Sequence, residues 1–297
     1  MLNKEERVKK VVKNKNILIT GGAGSIGFAL TKKLLNYPVK SIRVLDTNEY
    51  SLFKLKKSIN DARVRILLGS VLDKERLEIA VNNIDIIIHA AAVKNIEITE
   101  YNPMETIEIN VVGIMNLIKT CMREKPIKML NISTDKAANP TTLYGTTKSL
   151  GEKLTTWAGQ YIVNTKFASI RFGNVMETKG NVFELWNEQK KQNLPLSITH
   201  PEMKRYYFNI EQATDFILSC LPMINEGEIF IPKMKLCNML ELAKKISKKH
   251  KIIGKREGEK ILEVLITNDE IERAKKTKDM WIIHPSKTQS SSKINFK

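Results

Sequence analysis

Cysteine is scarce and scattered in this chain. Cys121, Cys220 and Cys237 are the three among 297 residues, with no close pair and no ligand spacing. That argues against a disulfide framework or a structural zinc site and fits a reducing compartment. His200, His250 and His284 also lack metal-ligand spacing, so no metal is expected. No apolar run reaches membrane-spanning length. The first ten residues, from Met1 to Lys10, contain no apolar core of signal-peptide length. There are no internal repeats. These absences lead to the expectation of a cytoplasmic enzyme with no membrane partner.

Acid is short relative to base. Forty-nine Lys and Arg against 32 Asp and Glu give a net charge of +17. The basic residues are dispersed apart from dense stretches at 4–15 and 244–260. No helix-turn-helix, zinc or aromatic-interleaved signature accompanies them, so no nucleic acid is expected as a partner. The plain reading is a solvated lysine surface, whose positive field also favours an anionic small molecule.

What is present is an alternation. Short apolar runs at 16–20, 42–46, 64–68, 84–89, 127–133 and 165–171 read as strands. Helical periodicity fills 25–36, 49–60, 73–82, 103–123 and 141–158. Buried-looking strands alternating with amphipathic helices predict an α/β fold with a doubly wound parallel Rossmann sheet over 14–172. After residue 172 the alternation becomes irregular. Helices are expected near 180–192, 211–221 and 238–249, and short strands near 196–198 and 229–232. This portion, 173–286, reads as a smaller mixed α/β C-terminal substrate lobe over the carboxyl ends of the strands, with the chain free to return to the main sheet. The polar, low-complexity tail 287–297 is expected to be disordered.

The first strand runs into Thr20-Gly21-Gly22-Ala23-Gly24-Ser25-Ile26-Gly27, which opens the first helix of the alternation. A glycine triplet in that context suits a dinucleotide pyrophosphate. Gly21 supplies the tight turn, Gly24 the close backbone approach and Gly27 the close helix packing. The free amides of the helix start, around Ser25 and Ile26, face the anion. Asp46 closes the second strand 19 residues beyond Gly27. A carboxylate there holds ribose hydroxyls and repels a 2′-phosphate, which favours NAD over NADP. Ala90 and Ala91, after the fourth strand, let the chain pass close to the dinucleotide.

The densest chemistry lies in Ser133-Thr134-Asp135-Lys136 and Tyr144-Gly145-Thr146-Thr147-Lys148. Tyr144 and Lys148, four apart, share a helix face. An ammonium there stabilises a phenolate, so the tyrosine can serve as a base near neutral pH. Asp135 and Lys136 add an acid and an amine at the end of a strand. Four proton-handling groups within fourteen residues, beside a dinucleotide turn, point to an enzyme that oxidises an alcohol and then does further proton chemistry.

These segments carry a resemblance to the extended short-chain dehydrogenase/reductases. Within that group the chain is similar to the UDP-N-acetylglucosamine 4,6-dehydratases that invert carbon 5, among the polysaccharide-biosynthesis dehydratases. It runs from about 14 to 285 through Ser133–Lys148, His89–Lys94, Asn102-Pro103 with Asn110–Gly113, Arg171–Asn174, Met203–Tyr206, and Gly258-Glu259-Lys260 with Glu263. The chain departs at Asn95, where the family usually has histidine, at Glu257, often proline, and at Asp46-Thr47, where some members carry a serine-arginine pair. Ser70 stands where such enzymes often have an acid at the adenine, with Asp73 nearby.

The resemblance implies UDP-N-acetylglucosamine as substrate, a tightly bound NAD or NADP regenerated each turnover, and a homo-oligomer. Tyr144 and Lys148 would serve C4 oxidation, with Thr134 orienting the 4-hydroxyl. Lys136 would take the C5 proton and Asp135 would protonate the departing 6-hydroxyl. Asn174, Arg205, Arg256 and Glu259 are the implied substrate contacts. Lys94 is placed at cofactor and substrate, with Lys260 and Glu100 as weaker candidates. Two rivals stand beside this reading. A UDP-sugar 4-epimerase would need Tyr144 and Lys148 but not Asp135-Lys136, and a non-catalytic dinucleotide-binding sensor or scaffold would need neither pair.

Overall fold

A computed structural model of the chain describes residues 2–286; the expected disordered tail lies outside them. The first half runs α1 (Lys4–Val12), β1 (Asn16–Thr20), α2 (Ser25–Leu34), β2 (Ser41–Asp46), α3 (Glu49–Ser58), β3 (Val64–Leu68), α4 (Lys74–Val81) and β4 (Ile86–His89). It continues with α5 (Ile96–Tyr101), α6 (Pro103–Ile107), a π-helical turn at Glu108–Val112, α7 (Gly113–Glu124), β5 (Lys128–Thr134), a 3-10 turn at Asp135–Ala137, α8 (Leu143–Tyr161) and β6 (Lys166–Phe172). The remainder is β7 (Asn174–Val175), α9 (Val182–Lys191), β8 (Leu196–Ile198), β9 (Lys204–Phe208), α10 (Ile210–Cys220), β10 (Glu228–Pro232), β11 (Lys235–Asn238), α11 (Met239–Ile246), β12 (His250–Ile252), α12 (Asn268–Ile271), β13 (Ala274–Lys276) and β14 (Met280–Ile283).

The abundant asparagines have a structural use. Asn3, Asn48, Asn95, Asn181, Asn209 and Asn238 each cap a helix by accepting the backbone N–H three residues on. Each satisfies one of the donors that a helix start leaves unpaired.

The main sheet has nine strands in the order β13-β14-β10-β6-β5-β4-β1-β2-β3. From β3 through β10 every pairing is parallel, and β14 and β13 add antiparallel edges. The order 3-2-1-4-5-6 with helices on both faces is the doubly wound arrangement. Ile17, Leu18 and Ile19 are buried because helices cover both faces of β1. One face is packed by α1, α2, α3 and α10 through Val8, Leu30, Leu55 and Ile217. The other is packed by α4, α7 and α8 through Leu77, Leu117 and Ala158.

Beyond residue 172 the chain divides its work. β7, β9 and β11 form a three-stranded sheet and β8 with β12 a two-stranded one. Trp186, Met203 and Met239 are among the buried residues packed with them. The strands β10, β13 and β14 widen the main sheet instead. Three local readings change. The basic stretch at 4–15 includes α1, whose Val8 and Val12 are buried under the lysines. The helix expected over 103–123 is broken by the π turn at 108–112. The short strands β9, β11, β13 and β14 carry too little periodicity to be seen from sequence.

Candidate active site

The carboxyl ends of β1, β2, β4, β5 and β6 open into a cleft of about 630 Å³, with the small lobe as its far wall. Gly21, Gly24, Ser25, Ile26, Gly27, Asp46, Ala90, Ala91 and Lys94 all line it. Gly21 takes φ +63°, and a Cβ there would sit 2.6 Å from Ala91 Cα; one on Gly27 would sit 2.4 Å from Gly22 Cα. No side chain larger than hydrogen fits at Gly21 or Gly27. Gly24 caps α2 without a side-chain hydrogen bond, so the first amides of the helix stay open to an anion. Asp46 Oδ2 accepts from Ala23 N at 3.0 Å and Oδ1 from Asn48 N at 2.9 Å. Each oxygen keeps a lone pair for a hydroxyl. This donor set fits a nicotinamide dinucleotide. Ser70 also lines the cleft, whereas Asp73 accepts from Arg76 N and caps α4.

The proton-handling groups meet where β5 ends against the start of α8. Two caps hold that helix start: Thr142 Oγ1 accepts from Gly145 N at 3.1 Å, and Glu100 Oε1 accepts from Leu143 N at 2.6 Å. Glu100 is therefore a helix cap in this structure. Tyr144 and Lys148 both line the cleft. Burial first, then the Asp135 carboxylate, push the Tyr144 phenol above its ordinary range, and its hydrogen bond with Thr134 offsets part of that. Burial pulls Lys148 down to about 8, with Glu152 opposing. Lys148 Nζ donates to the carbonyl of Ile132. One of the three ammonium donors of Lys148 is thereby used, and the nearby carboxylate of Asp135 opposes a phenolate at Tyr144.

Thr134 Oγ1 donates to Asp135 Oδ1 at 3.0 Å, and Lys136 Nζ donates to the same oxygen at 3.1 Å. A hydrogen-bonded series therefore runs Thr134–Asp135–Lys136, with the Tyr144 phenol near enough to Thr134 and Asp135 to be influenced by both. Asp135 is not among the residues that line the cleft. Its side chain is 0% exposed, lies behind the cleft wall, and has no hydrogen-bond partner for Oδ2. The charged groups paired with Lys136 are carboxylates, Asp135 and, at 3.8 Å, Glu263.

On the lobe side, Asn174, Arg205, Arg256 and Glu259 also line the cleft. Arg205 is buried. It donates to Lys204 O at 2.9 Å, Ile261 O at 3.1 Å and Glu259 Oε1 at 3.2 Å. Two of the five guanidinium donors remain for a ligand. Arg256 is half-exposed and pairs with Glu97 at 2.9 Å. Asn174 Nδ2 donates to Tyr207 Oη at 3.4 Å. Lys94 Nζ donates to Lys179 O and Lys179 N to Ser25 Oγ, each at 3.0 Å. The loop after β7 is thereby tied across the glycine turn. Lys260 Nζ donates to Asn139 O at 2.8 Å and tethers the segment after β5.

Sequence reasoning gave no role to several residues that shape this site. Asn110, on the π turn, accepts from Val93 N at 2.8 Å and donates to Thr147 Oγ1 at 3.0 Å, which joins the loop after β4 to α8. Such single π turns recur at functional sites. His89 Nδ1 lies 2.7 Å from Thr20 Oγ1, and burial, aided by Lys148, pushes the ring down to about 3. Arg171 is buried between Glu152 on α8 and Glu270 on α12, at 2.6 and 2.7 Å. The only signal for these was their presence in matching segments. An isolated acid or asparagine carries no periodicity.

The chain matches the model of the polysaccharide biosynthesis protein family over residues 17–285. A protein of Methanocaldococcus jannaschii described as an uncharacterized membrane protein is 41% identical, over 94% of this chain and 88% of its own. No helix among the described residues is long and apolar enough to cross a membrane. The UDP-N-acetylglucosamine 4,6-dehydratase (inverting) of Campylobacter jejuni is 40% identical, over 92% of this chain and 83% of its own. A UDP-glucose 4-epimerase of Rickettsia bellii is 33% identical, over 88% and 80%. Among solved structures, that of Pen from Bacillus thuringiensis superposes with a TM-score of 0.87 at 36% identity, covering 92% of this chain and 90% of that one.

Proposed function

The chain belongs to the polysaccharide biosynthesis protein family, and from that premise we propose that it is a UDP-N-acetylglucosamine 4,6-dehydratase that inverts C5. The observation that carries this reading is the second proton-handling pair. Asp135 is hydrogen-bonded to both Lys136 and Thr134, and its carboxylate acts on the Tyr144 phenol. Oxidation at C4 alone needs only the tyrosine and its lysine.

The cofactor is a nicotinamide dinucleotide, held by the glycine turn, the start of α2 and the Ala90-Ala91 passage. NAD is favoured over NADP because Asp46 sits at the end of β2 and a second anion beside it is repelled. The bound dinucleotide supplies reversible hydride acceptance at C4 and return at C6.

The residues do the rest. Thr134 orients the 4-hydroxyl and Tyr144 takes its proton. The Tyr144 phenol starts protonated, so it accepts only as its own proton passes along Thr134 toward Asp135, with the Lys148 charge lowering the cost. The 4-ketone acidifies the C5 proton, which Lys136 removes. Asp135, behind Thr134 and Lys136, supplies its proton to the departing 6-hydroxyl through Thr134, and water leaves. With hydride returned by the dinucleotide, C5 would take a proton from solvent on the face opposite Lys136, which inverts C5, and Lys136 would release its proton to solvent. Arg205 and Asn174 hold the UDP portion, with Arg256 and Glu259 at its edge. The product is a UDP-2-acetamido-2,6-dideoxy-4-hexulose.

The test is proton NMR of the protein with UDP-N-acetylglucosamine in deuterated water. A 4-keto-6-deoxy product with deuterium at C5 and an inverted C5 coupling pattern is expected. The epimerase relative favours a second reading. Its mark would be UDP-N-acetylgalactosamine with no exchange at C5, and that outcome would remove the dehydratase reading.

A further inference from the structure

The segment 256–263 runs along the cleft and places charged side chains on three different site groups. Glu259 pairs with Arg205 at 3.2 Å, and Lys260 holds the carbonyls of Ala138 and Asn139. Glu263 places Oε1 3.8 Å from Lys136 Nζ and Oε2 2.9 Å from Lys260 Nζ. Glu263 is 3% exposed, yet it borders the cleft. A carboxylate that buried is costly unless its charge is met. Here two lysines meet it, and one is the amine assigned to C5.

We propose that Glu263 is a positioning residue that aims the Lys136 amine at the substrate's C5 and stabilises the ammonium formed when that amine takes the C5 proton. This rests on the dehydratase reading above. A lysine ends in a point charge on a flexible four-carbon stem, so its direction is set by its partners. Asp135, the adjacent residue, draws Nζ back toward the wall behind the cleft. Glu263 arrives from another segment and gives Nζ a second anchor. In the step itself the proton leaves C5 for the Lys136 nitrogen. The C–H electron pair becomes the C5=C6 bond, the C6–O bond breaks, and the oxygen leaves as water with a proton from Asp135. The lysine gains a positive charge 3.8 Å from the Glu263 carboxylate. Attraction at that range, beside a largely buried carboxylate, favours proton uptake.

The competing role is structural: Glu263 would merely fasten Lys260 and the segment that carries Glu259. The two roles separate in the half-reactions. The experiment uses the full chain with its nicotinamide dinucleotide, UDP-N-acetylglucosamine and deuterated water, comparing wild type with Glu263→Gln. Reduced nicotinamide absorbance on mixing reports C4 oxidation, NMR reports deuterium at C5, and KM reports substrate holding.

In Glu263→Gln, KM is expected to stay within about twofold and reduced nicotinamide to accumulate. C5 exchange is expected to fall roughly tenfold to a hundredfold, a share of the ~10²–10⁴ that a positioned acid–base group contributes. Exchange at the wild-type rate overturns the proposal. So does a parallel fall in nicotinamide reduction and exchange. Glu263→Asp, one methylene short, is read by the same ratio and should lie between the two, which keeps the test valid if the glutamine variant does not fold. Wild type that shows no C5 exchange defeats the dehydratase reading itself. Wild-type exchange that persists unchanged in Glu263→Gln defeats only the role of Glu263.

Discussion

Lys148 and Tyr144 lie one turn apart on α8, and burial works against the charged form of each. The phenol is driven up and the ammonium down to about 8. Lys148 therefore carries its charge below about pH 8 and loses it above. If that charge supports Tyr144, kcat/KM of the enzyme should fall along an alkaline limb near pH 8, and Lys148→Arg should move the limb upward in whatever activity remains. A pH–rate profile checks both. His89 offers a stability readout. Its ring is held down to about 3 in the fold against an ordinary value of 6.5. Between those values the unfolded chain binds a proton that the fold does not, so stability rises with pH across the window and is lost as pH falls from 6.5 toward 3. One such group contributes a slope of about 1.4 kcal/mol per pH unit. Denaturant titrations at pH 4, 5, 6 and 7 should show a shallower slope for His89→Asn than for wild type.

At the scale of elements, helix α8 is fixed by charges that come from far along the chain. Arg171 on β6 holds Glu152 on α8 and Glu270 on α12, all three in the interior. Breaking a buried ion pair leaves an uncompensated charge, which costs about 3–5 kcal/mol. Arg171→Ala should therefore lower unfolding stability by about that amount, measured by denaturant midpoint, and should loosen α8. Much of this scale was legible beforehand. The alternation of short apolar runs and helical periodicity maps onto β1 to β6 and α2, α3, α4 and α8 within a few residues, and α7 onto the second half of its expected range. The misses share one cause. β9, β11, β13 and β14 are three to five residues long, and α1 hides two buried valines among lysines. In such segments burial comes from tertiary neighbours, and local pattern has too few residues to register it.

At the scale of the molecule, the charge of +17 surrounds a cleft proposed to take a doubly anionic sugar nucleotide. Part of the attraction is long-range, and salt screens it over about 10 Å at 0.1 M. KM for UDP-N-acetylglucosamine should rise as salt increases from 50 to about 500 mM, while kcat changes less. A KM indifferent to salt would leave substrate holding to the local Arg205 contacts alone.

What the sequence determined by itself is local and contiguous: the glycine turn after β1, the carboxylate that ends β2, and the four groups between Thr134 and Lys148. Each depends on spacing within one strand–turn–helix unit, and spacing is written in the chain. What only the tertiary structure decided is where charge falls among them. It turned Lys148 onto a backbone carbonyl, sank Asp135 behind Thr134, made Glu100 a helix cap and brought Glu263 from 127 positions away onto Lys136. Burial and charge pairing depend on which distant segments come together, and only the closed fold of sheet and lobe supplies that.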